Sequence, residues 1–210
     1  MTDRRRALMM AQEERGRIPS AYQEVDWIGT NGNQSNSNVR INTEIVPTSQ
    51  NYKIITTFRS PTTGTKGHFS TNNYTSYPTW SCYQQSSNIY YKYGGNESAG
   101  IASYNTSKWY NVEFGKKLIV DGVVISTKSD YNFTNNTLPL MLFNYGLGDS
   151  GSVNTRLKET WIYDGATLLA DFVPCYRKND GKIGFYDLAR EKFYSNPTAG
   201  STMLKGDDVT

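Results

Sequence analysis

Residues able to do acid–base or metal chemistry are few and scattered in this chain. Glu24 and Asp26, in Glu24-Val25-Asp26, are two positions apart, so a strand would put both carboxylates on one face. Sugar hydrolysis needs two carboxyl groups roughly 5–10 Å apart. The following Trp27-Ile28-Gly29 supplies no third acid, and Glu159 stands alone between Lys158 and Thr160. His68 is the single histidine, so neither a histidine-based nucleophilic triad nor a histidine zinc site can be assembled, and a surface-loop position is expected for it. Asp130, Asp149, Asn144 and Asp180 are hard oxygen donors of the kind calcium takes, with Asp149 and Asp130 the weak calcium candidates. The same residue types are ordinary in turns. No metal site is assigned, and no cofactor other than calcium is implied.

Aromatic side chains are the denser signal. Tyr74, Tyr77, Trp80, Tyr83, Tyr90, Tyr91 and Tyr93 crowd one stretch, with Asn, Gln and Ser between them. Rings stack on sugar faces and amides read hydroxyls, so Tyr74, Tyr77, Trp80, Tyr83 and Tyr91 are the candidate glycan-binding residues. Alternate members of such a stretch also suit a sandwich core, and about half of them are expected there.

The elements that must carry these residues are strands. Sixteen tyrosines and eighteen glycines, with Asn, Ser and Thr at most remaining polar positions, favour pleated strands joined by tight turns. Strands are expected at Glu24 to Ile28, Asn38 to Val46, Tyr52 to Arg59, Tyr77 to Gln84 and Asn88 to Tyr93. Trp109 to Phe114 alternates, with Tyr110, Val112 and Phe114 on one face. Leu118-Ile119-Val120 and Val123-Val124-Ile125 flank Asp121-Gly122, the signature of a two-residue type I′ hairpin. Leu138 to Phe143 is apolar on both faces and predicts a central strand. Leu157 to Tyr163 and Thr167 to Val173 form a second hairpin turning at Asp164-Gly165, and Lys182 to Asp187 and Lys192 to Tyr194 close the fold. Many short strands at even spacing predict an all-β sandwich or barrel. At 210 residues one such domain accounts for residues 19–210.

Residues 1–18 differ in composition. Arg, Glu, Gln, Ala, Leu and Met suit a short helix over Asp3 to Arg15, too slight for a domain. The segment reads either as a solvated tail or as an arm ordering on a partner, with Arg4, Arg5, Arg6, Leu8 and Met9 as its anchoring residues. The net charge of +3 is concentrated there, at Arg4, Arg5, Arg6, Arg15 and Arg17, leaving no basic stripe for nucleic acid. No apolar run approaches the about 18 residues of a membrane span, and the start is too short for a secretory apolar region. No membrane insertion and no export signal are expected, which places the chain in the cytoplasm or in a particle assembled there. Cys82 and Cys175 have no metal-type spacing; two buried free thiols are expected, with a disulfide between them the alternative.

Trp161-Ile162-Tyr163-Asp164-Gly165 and Leu168-Leu169-Ala170-Asp171-Phe172-Val173-Pro174-Cys175 resemble a stretch of LamG-like, concanavalin A-like jelly-roll domains from phages and gut bacteria. The likeness continues through Gly181-Lys182-Ile183-Gly184-Phe185-Tyr186-Asp187-Leu188 and Phe193-Tyr194-Ser195-Asn196. Ile18 to Ile28 resembles the family's opening strand, and Lys108-Trp109-Tyr110 its middle, so the resemblance covers about residues 19 to 204. Physically, Asp-Gly makes the turns, Pro174 ends a strand by lacking a donor, and Gly184 admits bulky aromatics beside the backbone. The resemblance implies a two-sheet antiparallel jelly-roll sandwich preceded by a short N-terminal arm. It also implies one calcium at a loop rim in many members. Laminarinase-type glycosidases, which share the architecture, place Glu-x-Asp-x-x-Glu or a close relative on one strand, and the third acid is missing here.

The implied function is that of a non-enzymatic phage virion structural protein: a capsid decoration, head fibre or tail-associated part. Its arm would hold other virion proteins, the domain would display a surface for host glycans, and the assembly would be a homo-oligomer located in the virion. The contrasting readings are a laminarinase-like hydrolase and a bacterial surface adhesin domain. Fold alone does not choose among these.

Overall fold

The structure, a computed structural model, describes residues 18–30, 39–64, 66–71, 80–93, 96–128, 133, 136–144, 154–197 and 203–210. Residues 1–17 of the arm, with its anchoring residues Arg4, Arg5, Arg6, Leu8 and Met9, lie outside these residues, as does the whole helix expected over Asp3 to Arg15. Seventeen strands and no helix are found among the described residues: β1 Tyr22–Glu24, β2 Ile28–Thr30, β3 Ile41–Asn42, β4 Tyr52–Arg59, β5 Lys66–Ser70, β6 Trp80–Gln85, β7 Asn88–Tyr93, β8 Asn96–Ile101, β9 Tyr110–Phe114, β10 Lys117–Val120, β11 Val123–Thr127, β12 Met141–Leu142, β13 Arg156–Asp164, β14 Thr167–Arg177, β15 Ile183–Asp187, β16 Lys192–Ser195 and β17 Met203–Lys205.

They form two antiparallel sheets. The larger runs β11-β10-β9-β4-β13-β14-β15-β16, with β1 beside β14, β2 beside β13 and β17 beside β2; the smaller runs β3-β12-β5-β6-β7-β8. β4 and β7 show why: their side chains alternate between buried and half-buried, the period-two pattern of strands covered on one face. The buried halves meet in one aromatic core. Phe69 of the smaller sheet sets its ring edge against Phe114 of the larger at 4.9 Å and against Trp80 at 5.5 Å. Lys192 reaches Glu44 across one side of the sandwich, and β11 approaches β8 at the other.

Both hairpins form, with one shift of turn. Asp121 (φ 49°) and Gly122 (φ 85°) both take positive φ, as type I′ requires. In the second, Asp164 still pairs with Thr167, so the loop is Gly165-Ala166 and not Asp164-Gly165. Gly165 at φ 58° occupies its first central position.

Pro174 does not end its strand. β14 continues to Arg177, and Pro174 faces Phe185 of β15. Along its other edge β14 pairs with β13 up to Phe172 and with β1 from Cys175. The residue without a donor falls where one partner gives way to the next. Residues 22–30 fill the gap where β13 and β14 part, pairing with β14 through β1 and with β13 through β2. The C-terminal segment then pairs along residues 24–30 through β17 and the Val25–Asp208 bridge.

Other expectations changed in extent. Asn38 to Val46 contracts to the two residues of β3, and Leu138 to Phe143 to the two of β12, which does lie between two strands, β3 and β5. His68 is a correction: it belongs to β5, not to a surface loop, and is 2% exposed with its ring 4.4 Å from that of Phe58.

Candidate glycan-facing surface

Pleating decides which aromatics of the Trp80–Tyr93 stretch can meet a ligand. Trp80, Cys82, Tyr91 and Tyr93 point into the core. Trp80 is 1% exposed and Tyr91 0%, so neither offers a ring to a sugar, and both are withdrawn as glycan-binding residues. Their polar ends explain why they are buried stably. Trp80 Nε1 donates to Tyr91 Oη at 3.0 Å, and Tyr91 Oη donates to the Gly115 carbonyl. Tyr93 Oη donates to the Gln50 carbonyl at 2.8 Å. Each ring brings its hydrogen bond into the core with it.

Tyr83 stands on the opposite face of β6, paired with Tyr90 of β7. The two rings stack at 5.4 Å and 17°, with the Lys92 ammonium 5.6 Å from the Tyr83 centroid. At 2% exposure Tyr83 supports its neighbour and is itself covered, so it too is corrected as a direct sugar contact. Tyr90 is half-buried, and Asn88 and Lys92 flank it on the same face. A half-exposed ring between an amide and an ammonium can stack on a sugar face and read hydroxyls beside it. Tyr74 and Tyr77 lie outside the described residues.

Glu24 and Asp26 flank Val25 between β1 and β2. Asp26 is held by Lys158, Nζ to Oδ1 at 2.5 Å, and Val25 between the two acids is in the core. Asp180 is committed to the turn after β14. It pairs with Arg177 and accepts from the Lys182 amide at 3.1 Å, and the Arg177 contact holds its carboxyl down at about 2. Asp130 and Asp149 lie outside the described residues. Among the described residues no three His, Cys, Asp or Glu side chains gather as a metal site. Cys82 and Cys175 are both buried free thiols on different sheets. Burial pushes both thiols up, Cys175 to about 12.

A second group of rings was not foreseen as a site. Trp27, Trp109 and Tyr163 are half-buried and each lies under a cation: Arg156 at 4.2 Å from Trp27, Lys158 at 5.0 Å from Trp109, and Lys53 at 5.2 Å from Tyr163. The three tie together β2, β4, β9 and β13 and the segments beside them, which are distant in sequence. The alternation of Trp109 against buried Tyr110 was the only local signal of an outward ring.

The architecture has counterparts among solved structures. The chain is similar to the native heptameric SAP-like pentraxin from Limulus polyphemus, with 14% identity and a TM-score of 0.50, over 69% of this chain and 78% of that one. It is also similar to domains LG4-5 of the mouse laminin alpha1 chain, with 14% identity and a TM-score of 0.47, over 74% of this chain and 48% of that one. The chain thus spans about half of the laminin fragment. No protein-family model and no curated protein matches. The sandwich is a concanavalin A-like jelly roll.

Proposed function

We propose that the chain is a non-catalytic glycan-binding module carried on a phage particle. The observation that supports glycan binding is the Asn88–Tyr90–Lys92 row, with Tyr90 half-exposed and held flat against Tyr83. Stacking against Tyr83 fixes the Tyr90 ring before any ligand arrives, which lowers the ordering cost of binding. The particle assignment draws on the likeness of Trp161 to Tyr194 to phage jelly-roll domains and on the basic segment Arg4-Arg5-Arg6. In this reading residues 1–18 hold other virion proteins, the copies assemble as a homo-oligomer, and the smaller sheet faces the host. No metal or cofactor takes part.

Glycan-array binding of the full chain tests the ligand half. Tyr90→Ala should lower the affinity for a bound glycan about tenfold, the scale of one aromatic contact. Unchanged binding by that variant would remove Tyr90 as the platform. Glu24→Gln and Asp26→Asn should leave binding intact, and no glycan should be cleaved by the parent protein. Imaging of intact particles tests the other half: residues 1–18 should touch a neighbouring virion protein.

A further inference from the structure

We propose that the outer face of the larger sheet holds a second site, for a sugar bearing an oxyanion, built on Arg59 and Arg156. These residues are direct cross-strand partners on β4 and β13. Their neighbours Phe58 and Leu157 are in the core, so both guanidinium groups leave the sheet on the same outer face. Like charges placed opposite one another in an antiparallel pair repel. Neither arginine has a carboxylate partner among the described residues. Arg59 Nε donates to the Thr106 carbonyl at 2.9 Å, and Arg156 lies over the Trp27 ring. Burial, then the nearby Arg59 charge, makes the Arg156 proton easier to lose than usual.

The surroundings hold the pair in place. Gly29 packs against Arg156: a Cβ there would stand 2.6 Å from the Thr155 carbonyl oxygen and 3.0 Å from Arg156 Cγ. The bulge between Leu157 and Thr160 sends Lys158 over Trp109, where Asp26 already engages it. Two guanidinium forks without a carboxylate partner among the described residues therefore sit beside the Trp27 and Trp109 rings. Guanidinium forks match carboxylate, sulfate and phosphate oxygens bidentately, and the half-buried indoles beside them leave some apolar surface for the sugar that carries the group. An oxyanion between the arginines would turn their repulsion into two attractions. For the sugar the proposal rests on the glycan-binding reading above; for the anion it does not.

Titration calorimetry on the full chain at low salt tests it, with sulfated dextran oligosaccharides, oligogalacturonate, neutral dextran oligosaccharides and pyrophosphate as probes. A charged sugar should bind about tenfold or more tightly than neutral dextran. The preference between sulfated dextran and oligogalacturonate identifies the oxyanion. Arg59→Gln and Arg156→Gln should each abolish most of that preference without lowering the Tm, because each relieves a like-charge contact. Arg156→Lys, which keeps charge and loses the fork, should fall between, and Tyr90→Ala should leave the preference unchanged. Equal binding of charged and neutral sugars, arginine variants that bind like the parent, or a Tm that falls with the affinity would overturn the site while leaving the glycan reading standing. Arginine-dependent binding of pyrophosphate with no charged sugar bound would overturn the sugar at this site, and leaves the Tyr90 reading to its own glycan-array test.

Discussion

The Tyr91 hydroxyl is the middle link of a buried chain, accepting from Trp80 Nε1 and donating to the Gly115 carbonyl. Tyr91→Phe removes one oxygen and leaves a donor and an acceptor without partners in the core. A buried polar group without a partner costs about 1–3 kcal/mol. The variant should therefore unfold at a lower urea midpoint, by about 2–3 kcal/mol, with an unchanged slope. A loss below about 0.5 kcal/mol would mean that water reaches these atoms and that the buried chain contributes nothing to stability. Residue identity was a poor guide here. Tyr83, Tyr90, Tyr91 and Tyr93 are alike in the sequence, and only the pleat of β6 and β7, together with what covers each face, separates the supporting, exposed and core rings. The Arg59–Arg156 pairing was beyond reach in a different way. It joins residues 97 positions apart, so it exists only once β4 and β13 are in register.

At the scale of the element, local signals were legible where the turn was short and the pattern clean. Asp121-Gly122 and the alternation of Tyr110 to Phe114 gave β9, β10 and β11 nearly to the residue. β5, β8 and β17 were not foreseen. Lys66–Ser70 and Asn96–Ile101 mix polar and small residues without period-two alternation, and Met203–Lys205 has three residues; each is a strand because a neighbouring strand pairs with it. Pro174 shows the same limit from the other side: the missing donor was evident, but its place at a change of partner was not. Gly184 was read correctly as a point of close approach. A Cβ at that position would lie 2.1 Å from the Tyr194 carbonyl oxygen, and the atom in the way is backbone of β16, which cannot swing aside. Gly184→Ala should cost at least about 3 kcal/mol, the upper part of the range for overpacking. Gly165→Ala has open space and only its positive φ against it, and should cost about 1–2 kcal/mol. Chemical denaturation of the two variants checks the order; a Gly165 variant less stable than the Gly184 one would contradict the β15–β16 packing.

For the whole molecule, the all-β sandwich was legible because it follows from composition and strand spacing together, whereas its two outer faces were not. Buried tyrosines and two buried thiols also give the fold a pH limit of its own. Cys175 is pushed up to about 12 from 9.0, chiefly by burial, and Tyr194 to about 12 from 10.0, again chiefly by burial; Cys82 and Tyr91 are raised by the same cause. In each case the native state keeps a proton that the unfolded chain would release at lower pH. Between the unfolded and folded values the native state binds more protons, so stability falls as pH rises. The contribution is fully present below about pH 9 for the thiols and pH 10 for the phenols, and for Cys175 and Tyr194 it is lost as pH approaches 12. Each proton released adds about 1.4 kcal/mol of loss per pH unit. With respect to these groups the Tm should be level from pH 7 to 9, bend downward above 9 and steepen above 10. A Cys82→Ala, Cys175→Ala double variant, though less stable throughout, should keep its level region to about pH 10, because only the phenols then remain to titrate. A parent Tm that stays level through pH 11 would show that unfolding releases no protons from these positions, and that water already reaches these thiols and phenols.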